Sequence, residues 1–312
     1  MHLPGLFSLL LATQVLCDLT PFDEWKHLRV ALEDVSIHAR YHGTGPPILL
    51  VHGFPQHSLT WHKIGPILAQ NYTVIAVDNR GCGSSTIPRN DDYSSETVSN
   101  DLLGVLNFLK INQTYVFGHD KGVGPSTALA FKNRSLVKRL GIAEYALPGT
   151  GTYEFASNPS PEWDTYSNWQ LAFFSVPDVA QFFIQGKEKE MLAWYFFHAS
   201  YTGNSAISQD HLNTYTTEIS KPGYLRSGFG YFAETGVDGK FFNASIQSNK
   251  LTQPVLALGG ETSFSPETIV QAGLGVVGIN SSSELIPKSG HWIGKSLILF
   301  DSWDISSIHT DA

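Results

Sequence analysis

Short unbroken apolar runs alternate along the chain with stretches whose apolar residues recur at helical spacing. Val30-Ala-Leu-Glu-Asp-Val-Ser-Ile-His-Ala-Arg-Tyr41 predicts the two short strands of a hairpin. Pro47-Ile-Leu-Leu-Val51, Thr73-Val-Ile-Ala-Val77 and Tyr115-Val-Phe117 are continuous apolar runs, the pattern of strands buried on both faces. Between them, Trp61 to Leu68 and Glu96 to Leu109 read as helices, the second with Val98, Leu102, Val105, Leu106 and Leu109 on one face. Strand–helix alternation with short turns implies an α/β protein, a mostly parallel sheet flanked by helices. The alternation stops near Pro148. From Gly149 to Asn249 the chain is aromatic and helix-rich, and the strand pattern returns at Pro254-Val-Leu-Ala-Leu258 and around Gly275 to Ile279. The expected organisation is a core of residues 25–148 and 250–312 interrupted by a helical cap insertion, 149–249.

In such sheets the reactive groups gather at the carboxyl ends of the strands. His52, Asp78, Asp120 and Glu144 all fall there. Asp120 is the centre of Gly118-His-Asp-Lys-Gly122, a small-x-nucleophile-x-small sequence lying between an apolar strand and a helical pattern. That context makes a nucleophile elbow, in which flanking glycines permit a tight turn that no Cβ would tolerate. A carboxylate is already ionised at neutral pH and needs no base to activate it. On an acyl carbon it would form an anhydride that reverts; on a saturated carbon bearing a leaving group it forms an alkyl ester that water can open. Asp120 therefore points to displacement at carbon.

Composition narrows the setting. A 312-residue chain with 42% hydrophobic and 12% aromatic residues suits a packed globular protein, and a net charge of -8 argues against nucleic-acid partners. Residues 1–17 form an apolar stretch too short to span a bilayer comfortably and read as a signal peptide, with a buried N-terminal helix as the alternative. Five Asn-x-Ser/Thr sequons, at Asn71, Asn112, Asn133, Asn243 and Asn280, agree with a secreted glycoprotein, and no stable membrane insertion is expected. If Cys17 leaves with that segment, Cys82 has no disulfide partner; within Arg80-Gly-Cys-Gly83 it reads as a small turn residue.

In order along the chain, His52-Gly-Phe-Pro55, Asp78-Asn-Arg-Gly-Cys-Gly-Ser84, Gly118-His-Asp-Lys-Gly122, Trp169-Gln-Leu-Ala-Phe-Phe-Ser-Val-Pro-Asp178 and Ser289-Gly-His-Trp292 resemble the α/β-hydrolase superfamily. The likeness is to its aspartate-nucleophile branch of epoxide hydrolases and haloalkane and haloacid dehalogenases. The resemblance implies Asp120 as nucleophile and His291 as the base that activates water. It implies backbone N–H groups of Phe54 and Lys121 as the oxyanion hole. Glu144, after the strand that follows the nucleophile helix, would orient His291; Glu261 is the second choice, because Ser263 stands where many relatives carry an aspartate. Epoxide hydrolases place proton-donating tyrosines in the cap. Here one such position is Trp169, and Tyr231 is the candidate for the other. His52 and Trp292 are read with Trp169 as substrate-binding. The expected reaction opens epoxides to diols on a small apolar organic substrate with water, using no metal or organic cofactor. The alternatives are a dehalogenase with the same nucleophile and a cap-pocket binding protein without turnover.

Overall fold

The computed structural model describes residues 19–157, 161, 165–203, 207–263 and 277–293. Residues 1–17, read as a leader, lie outside these, as do 275–276 and the stretch from 294 onward. The described strands form one eight-stranded sheet in the order β1-β2-β4-β3-β5-β6-β7-β8. β1 (Lys26–Ala31) and β2 (Ser36–His42) make the expected antiparallel hairpin, and β2 joins β4 (Thr73–Val77) antiparallel. β3 (Pro47–Val51), β4, β5 (Thr114–His119), β6 (Val137–Ala143), β7 (Val255–Gly260) and β8 (Ser281–Ile286) run parallel.

The unbroken apolar runs are explained by what covers each face. Ile48 and Leu50 of β3 join a core with Val74, Ala76 and Phe117 on one side, whereas Leu49 and Val51 join Ile75, Val77 and Val116 on the other. Strand side chains alternate in direction, so a strand covered twice must be apolar at every position. Helix α1 (Ile64–Leu68) packs in the first core; α2 (Ser95–Phe108) and α3 (Val123–Lys132) pack in the second. The helix expected over Trp61 to Leu68 is split into a 3-10 turn, Ser58–Trp61, and α1. Pro66 lacks an N–H and is accommodated within the first turn of a helix, so α1 starts just ahead of it.

The strand expected around Gly275 to Ile279 is displaced. Among the described residues only Gly278 there pairs, with Leu251, and β8 follows at Ser281–Ile286. β8 is the sheet's last strand and carries Ser281, Ser282, Ser283 and Glu284. An edge strand needs no apolar side chain on both faces, so its polarity hid it.

Between β6 and β7 the described chain is helical. α4 (Thr152–Ser157), α5 (Thr165–Phe173), α6 (Pro177–Ile184), α7 (Glu188–His198), α8 (Gln209–Ile219) and α9 (Tyr224–Ala233) precede α10 (Thr235–Ser248). α10 turns back onto the sheet side against α2 and α3, so the inserted segment returns to the core before Asn249. No described helix is long and apolar enough to cross a membrane.

The Asp78-Asn-Arg-Gly sequence holds the core ends together through buried charge. Arg80 is 1% exposed and grips Asp101 with Nε at 2.6 Å and Nη2 at 2.7 Å. A forked pair is the geometry that compensates a buried guanidinium. Asp101→Ala leaves that cation without its main partner and is expected to lower the urea unfolding free energy by about 3–5 kcal/mol. A change under about 0.5 kcal/mol would mean the pair does not stabilise the fold.

Candidate active site

Register brings the reactive groups together. His119, the last residue of β5, pairs with Ala143, the last of β6, so Asp120 and Glu144 emerge side by side from adjacent strand ends. Both adopt positive φ, 50° and 62°. Such backbone costs about 1–3 kcal/mol in a non-glycine residue and is held only where its surroundings over-determine it. The flanking glycines permit the turn at Asp120. A Cβ on Gly122 would lie 2.4 Å from the carbonyl oxygens of Val51 and His52, and one on Gly118 would lie 2.6 Å from the Gly122 oxygen.

Asp120 is 8% exposed. Its Oδ1 accepts the Phe54 N–H at 2.8 Å, and the Lys121 N–H also bonds the carboxylate. The two backbone donors expected at the oxyanion hole thus both reach the nucleophile's own carboxylate. Gly53 permits this approach: a Cβ there would meet Asp120 Oδ1 at 2.3 Å. Oδ2 faces His291 Nε2 at 3.4 Å, and His291 Nδ1 meets Glu144 Oε2 at 2.9 Å. Glu144 Oε1 accepts the Gly260 N–H, which fixes the carboxylate from β7. Glu261 is exposed and accepts the Lys288 N–H, away from the histidine.

The electrostatics follow from this sandwich. Burial alone would lower the His291 pKa, but its bonds to Asp120 and Glu144 and their charges outweigh burial and hold it at about 9. Burial pushes Asp120 up, but the His291 bond and charge and the Lys121 N–H together bring its carboxyl below the usual value. The resting site is an imidazolium between two carboxylates.

Several predicted residues serve the scaffold of this site. His52 donates Nδ1–H to the Gly53 oxygen at 2.9 Å and accepts the Asn79 N–H on Nε2 at 2.9 Å, so both ring nitrogens are engaged. The ring ties the His-Gly-Phe-Pro loop to the end of β4, and His52 also lines the cavity that Phe54 and Lys121 border. Asp78 accepts the N–H groups of Ser58 and Ser84 and pairs with His38 at 2.8 Å. Trp292 stacks edge-on over His291 at 4.7 Å, while its Nε1–H goes to the Phe196 oxygen on α7. The His291 N–H goes to the Ala199 oxygen at 2.8 Å, just beyond α7. Trp169 is half-buried and packs on Phe174, which packs on Phe54. Cys82 is a free thiol.

Tyr231 is corrected. Its hydroxyl donates to the Arg80 oxygen at 2.8 Å, and its ring packs with Tyr93 and Val98. Its helical neighbour Phe232 faces the nucleophile side instead, 5.3 Å from the Phe54 ring. One residue along a helix rotates a side chain by about 100°, so the pair Tyr231-Phe232 presents its hydroxyl to the core and its bare ring to the site.

Sequence reasoning missed four residues. His119 donates Nε2–H to the His291 oxygen at 2.7 Å; its pKa is pushed down to about 4 by burial and then by the His291 charge, so it stays neutral. Tyr195 and Tyr145 are buried phenols whose pKa values lie well above normal, through burial first, with the Asp120 charge adding to it. Tyr153, 3% exposed, stacks on Tyr145 at 5.5 Å. The signal for His119 was its place inside the nucleophile turn; the tyrosines sit in aromatic stretches with no signal of their own.

A sequence-family model described as the alpha/beta hydrolase fold matches residues 46–294. The chain is 31% identical over 238 residues to the soluble epoxide hydrolase of Corynebacterium sp. (strain C12), covering 76% of this chain and 82% of that protein. It is 31% identical over 127 residues to the fluoroacetate dehalogenase of Burkholderia sp., 39% of this chain and 42% of that one. The crystal structure of wild-type Cfl2 from Burkholderia cenocepacia superposes with a TM-score of 0.83 at 25% identity, covering 93% of this chain and 97% of that one.

Two measurements check this geometry. The His291 pKa of about 9 lies above its unfolded value of 6.5, so its ionisation stabilises the fold fully below pH 6.5 and loses that contribution as pH rises through 9. The unfolding free-energy gap between wild type and His291→Gln should therefore shrink from pH 6 to pH 10. Tyr231→Phe should cost about 1 kcal/mol of stability, read by chemical denaturation, from the lost bond to Arg80.

Proposed function

The chain belongs to the α/β-hydrolase fold family, in its epoxide hydrolase and dehalogenase branch, and we propose that it opens epoxides to diols through a covalent ester on Asp120. The observation that carries this reading is the Asp120–His291–Glu144 line, with the nucleophile's other oxygen on the Phe54 N–H. An epoxide carbon approaching Oδ2 is attacked by a carboxylate whose Oδ1 is already fixed. The C–O bond of the ring breaks, and the product is a hydroxyalkyl ester whose carbonyl oxygen stays against the two backbone N–H groups.

Alkylation also arms the base. Ester formation cancels the Asp120 charge, which is among the influences holding the His291 pKa at about 9. Its proton then leaves more readily, and the neutral imidazole, still oriented by Glu144, removes a proton from water. Hydroxide adds to the ester carbonyl, the oxyanion forms where Phe54 and Lys121 donate, and collapse releases the diol. Glu144 acts as the fixed anion that keeps the ring in place and balances the imidazolium.

Dehalogenation is the second reading, favoured by the matching stretch of fluoroacetate dehalogenase. Export to an oxidising, glycosylating route belongs to the same proposal. Four of the five sequon asparagines, Asn71, Asn112, Asn243 and Asn280, are exposed, and Asn133 is half-buried.

His291→Gln, incubated with a styrene-oxide-type epoxide, should accumulate an adduct on the peptide carrying Asp120, seen by mass spectrometry, while diol formation falls at least about 100-fold. Wild-type enzyme in ¹⁸O water should label both the diol and Asp120 over repeated turnovers. An adduct-free Asp120 with a turned-over substrate would sink the two-step reading.

A further inference from the structure

Ring opening leaves an alkoxide, and the cap tyrosine expected to neutralise it faces elsewhere. The side of Asp120 toward Phe232 holds a different group. Lys121 follows the nucleophile directly and is 5% exposed. Its Nζ donates to the Tyr145 hydroxyl at 3.0 Å and lies over three rings: Phe232 at 4.1 Å, Tyr145 at 4.8 Å and Tyr153 at 5.5 Å. Lys132 and Lys221 sit in surface ion pairs. Lys121 forms none; the charge that senses it, Asp238, is held by the Ser95 N–H and hydroxyl through both its oxygens.

A buried ammonium without a carboxylate is costly, and aromatic faces compensate only part of its lost hydration. It carries three donors, and one acceptor, Tyr145 Oη, meets it among the described residues. Such a group is primed for negative oxygen. Its location fits: Lys121 follows Asp120 directly, and Phe232 beneath its Nζ packs at 5.3 Å on the ring of Phe54, whose N–H holds the Asp120 carboxylate.

We infer that Lys121, anchored by Tyr145 and bounded by Tyr153 and Phe232, is the acid that receives the epoxide oxygen during ring opening. The inference rests on Asp120 being the nucleophile. As the Asp120 Oδ2–carbon bond forms, the ring C–O pair moves onto oxygen and takes a proton from Nζ, leaving a hydroxyl and a neutral amine. The ester no longer holds the His291 proton, which returns through solvent to Nζ. His291 then takes a proton from the attacking water, and the cycle closes with Asp120 ionised and Lys121 and His291 both charged. The net reaction is epoxide plus water to diol.

Single-turnover quench with styrene oxide separates the two steps. Lys121→Met, which keeps the backbone N–H and the chain length, should slow ester formation by about 10²-fold or more and leave ester hydrolysis within about threefold. Tyr145→Phe keeps the ammonium but not its anchor and should slow ester formation by about tenfold, again sparing hydrolysis. Ester formation at the wild-type rate in Lys121→Met overturns the inference and leaves Asp120 as nucleophile. Equal loss in both steps overturns it too, since that is the mark of a disturbed turn. No ester in wild type would remove the Asp120 reading and this one together.

Discussion

A histidine ring clasped between two buried carboxylates is the interaction on which this molecule's arrangement depends. Asp120, His291 and Glu144 are each under 10% exposed. Two anions so close would be unfavourable in a dry site, and a lone cation there would be worse. Together they compensate one another, and each depends on backbone donors for the rest: Phe54 and Lys121 on one carboxylate, Gly260 on the other. In the proposed mechanism the same balance couples the two steps: once one carboxylate becomes an ester, the charge that held the proton is gone, and the first covalent step prepares the second.

The sheet serves this balance by placing strand ends. β5 and β6 end in register, which sets the two carboxylates side by side, and β7 supplies the donor that fixes Glu144. The loops around them are cross-tied by buried polar groups. His52 fastens the loop after β3 to the end of β4, and His119 fastens the nucleophile turn to the His291 carbonyl. These histidines lie beside the Asp120–His291–Glu144 line, and both are pushed by burial toward the neutral form that such bonds require.

The residues readable in the sequence were those whose role follows from the main chain. Asp120 stood out because a tight turn between strand and helix demands glycines on either side; the N–H groups of Lys121 in that turn and of Phe54 in the His-Gly-Phe-Pro loop followed from the family resemblance. Glu144 was legible from its place after the next parallel strand. Side-chain direction was harder. Gly228-Phe-Gly-Tyr-Phe232 offers two aromatics in adjacent positions, and only packing on α6 and on the loop of Arg80 decides which one faces Phe54. Lys121 was read through its N–H alone, because nothing local reveals that its ammonium folds under Tyr145 and Tyr153. β8 escaped notice since an edge strand can be polar, and the apolar run before it contributes a single bridge.

The attachment of the His291 turn to the end of α7 also constrains how the molecule can breathe. The His291 N–H and the Trp292 indole both hold on to carbonyls at that helix terminus. Were the helical layer to lift at this edge, His291 would be dragged off its partners. On α9, Arg226 reaches Asp91 of the core from a solvent-exposed position, beside the more buried ties that Tyr224, Ser227 and Tyr231 make to the core. A bridge of that kind is worth roughly 0–1 kcal/mol and weakens with salt. Salt can therefore weaken that bridge while the buried ties of α9 and α7 hold, so the helical layer stays anchored over the Asp120–His291–Glu144 line from both helices.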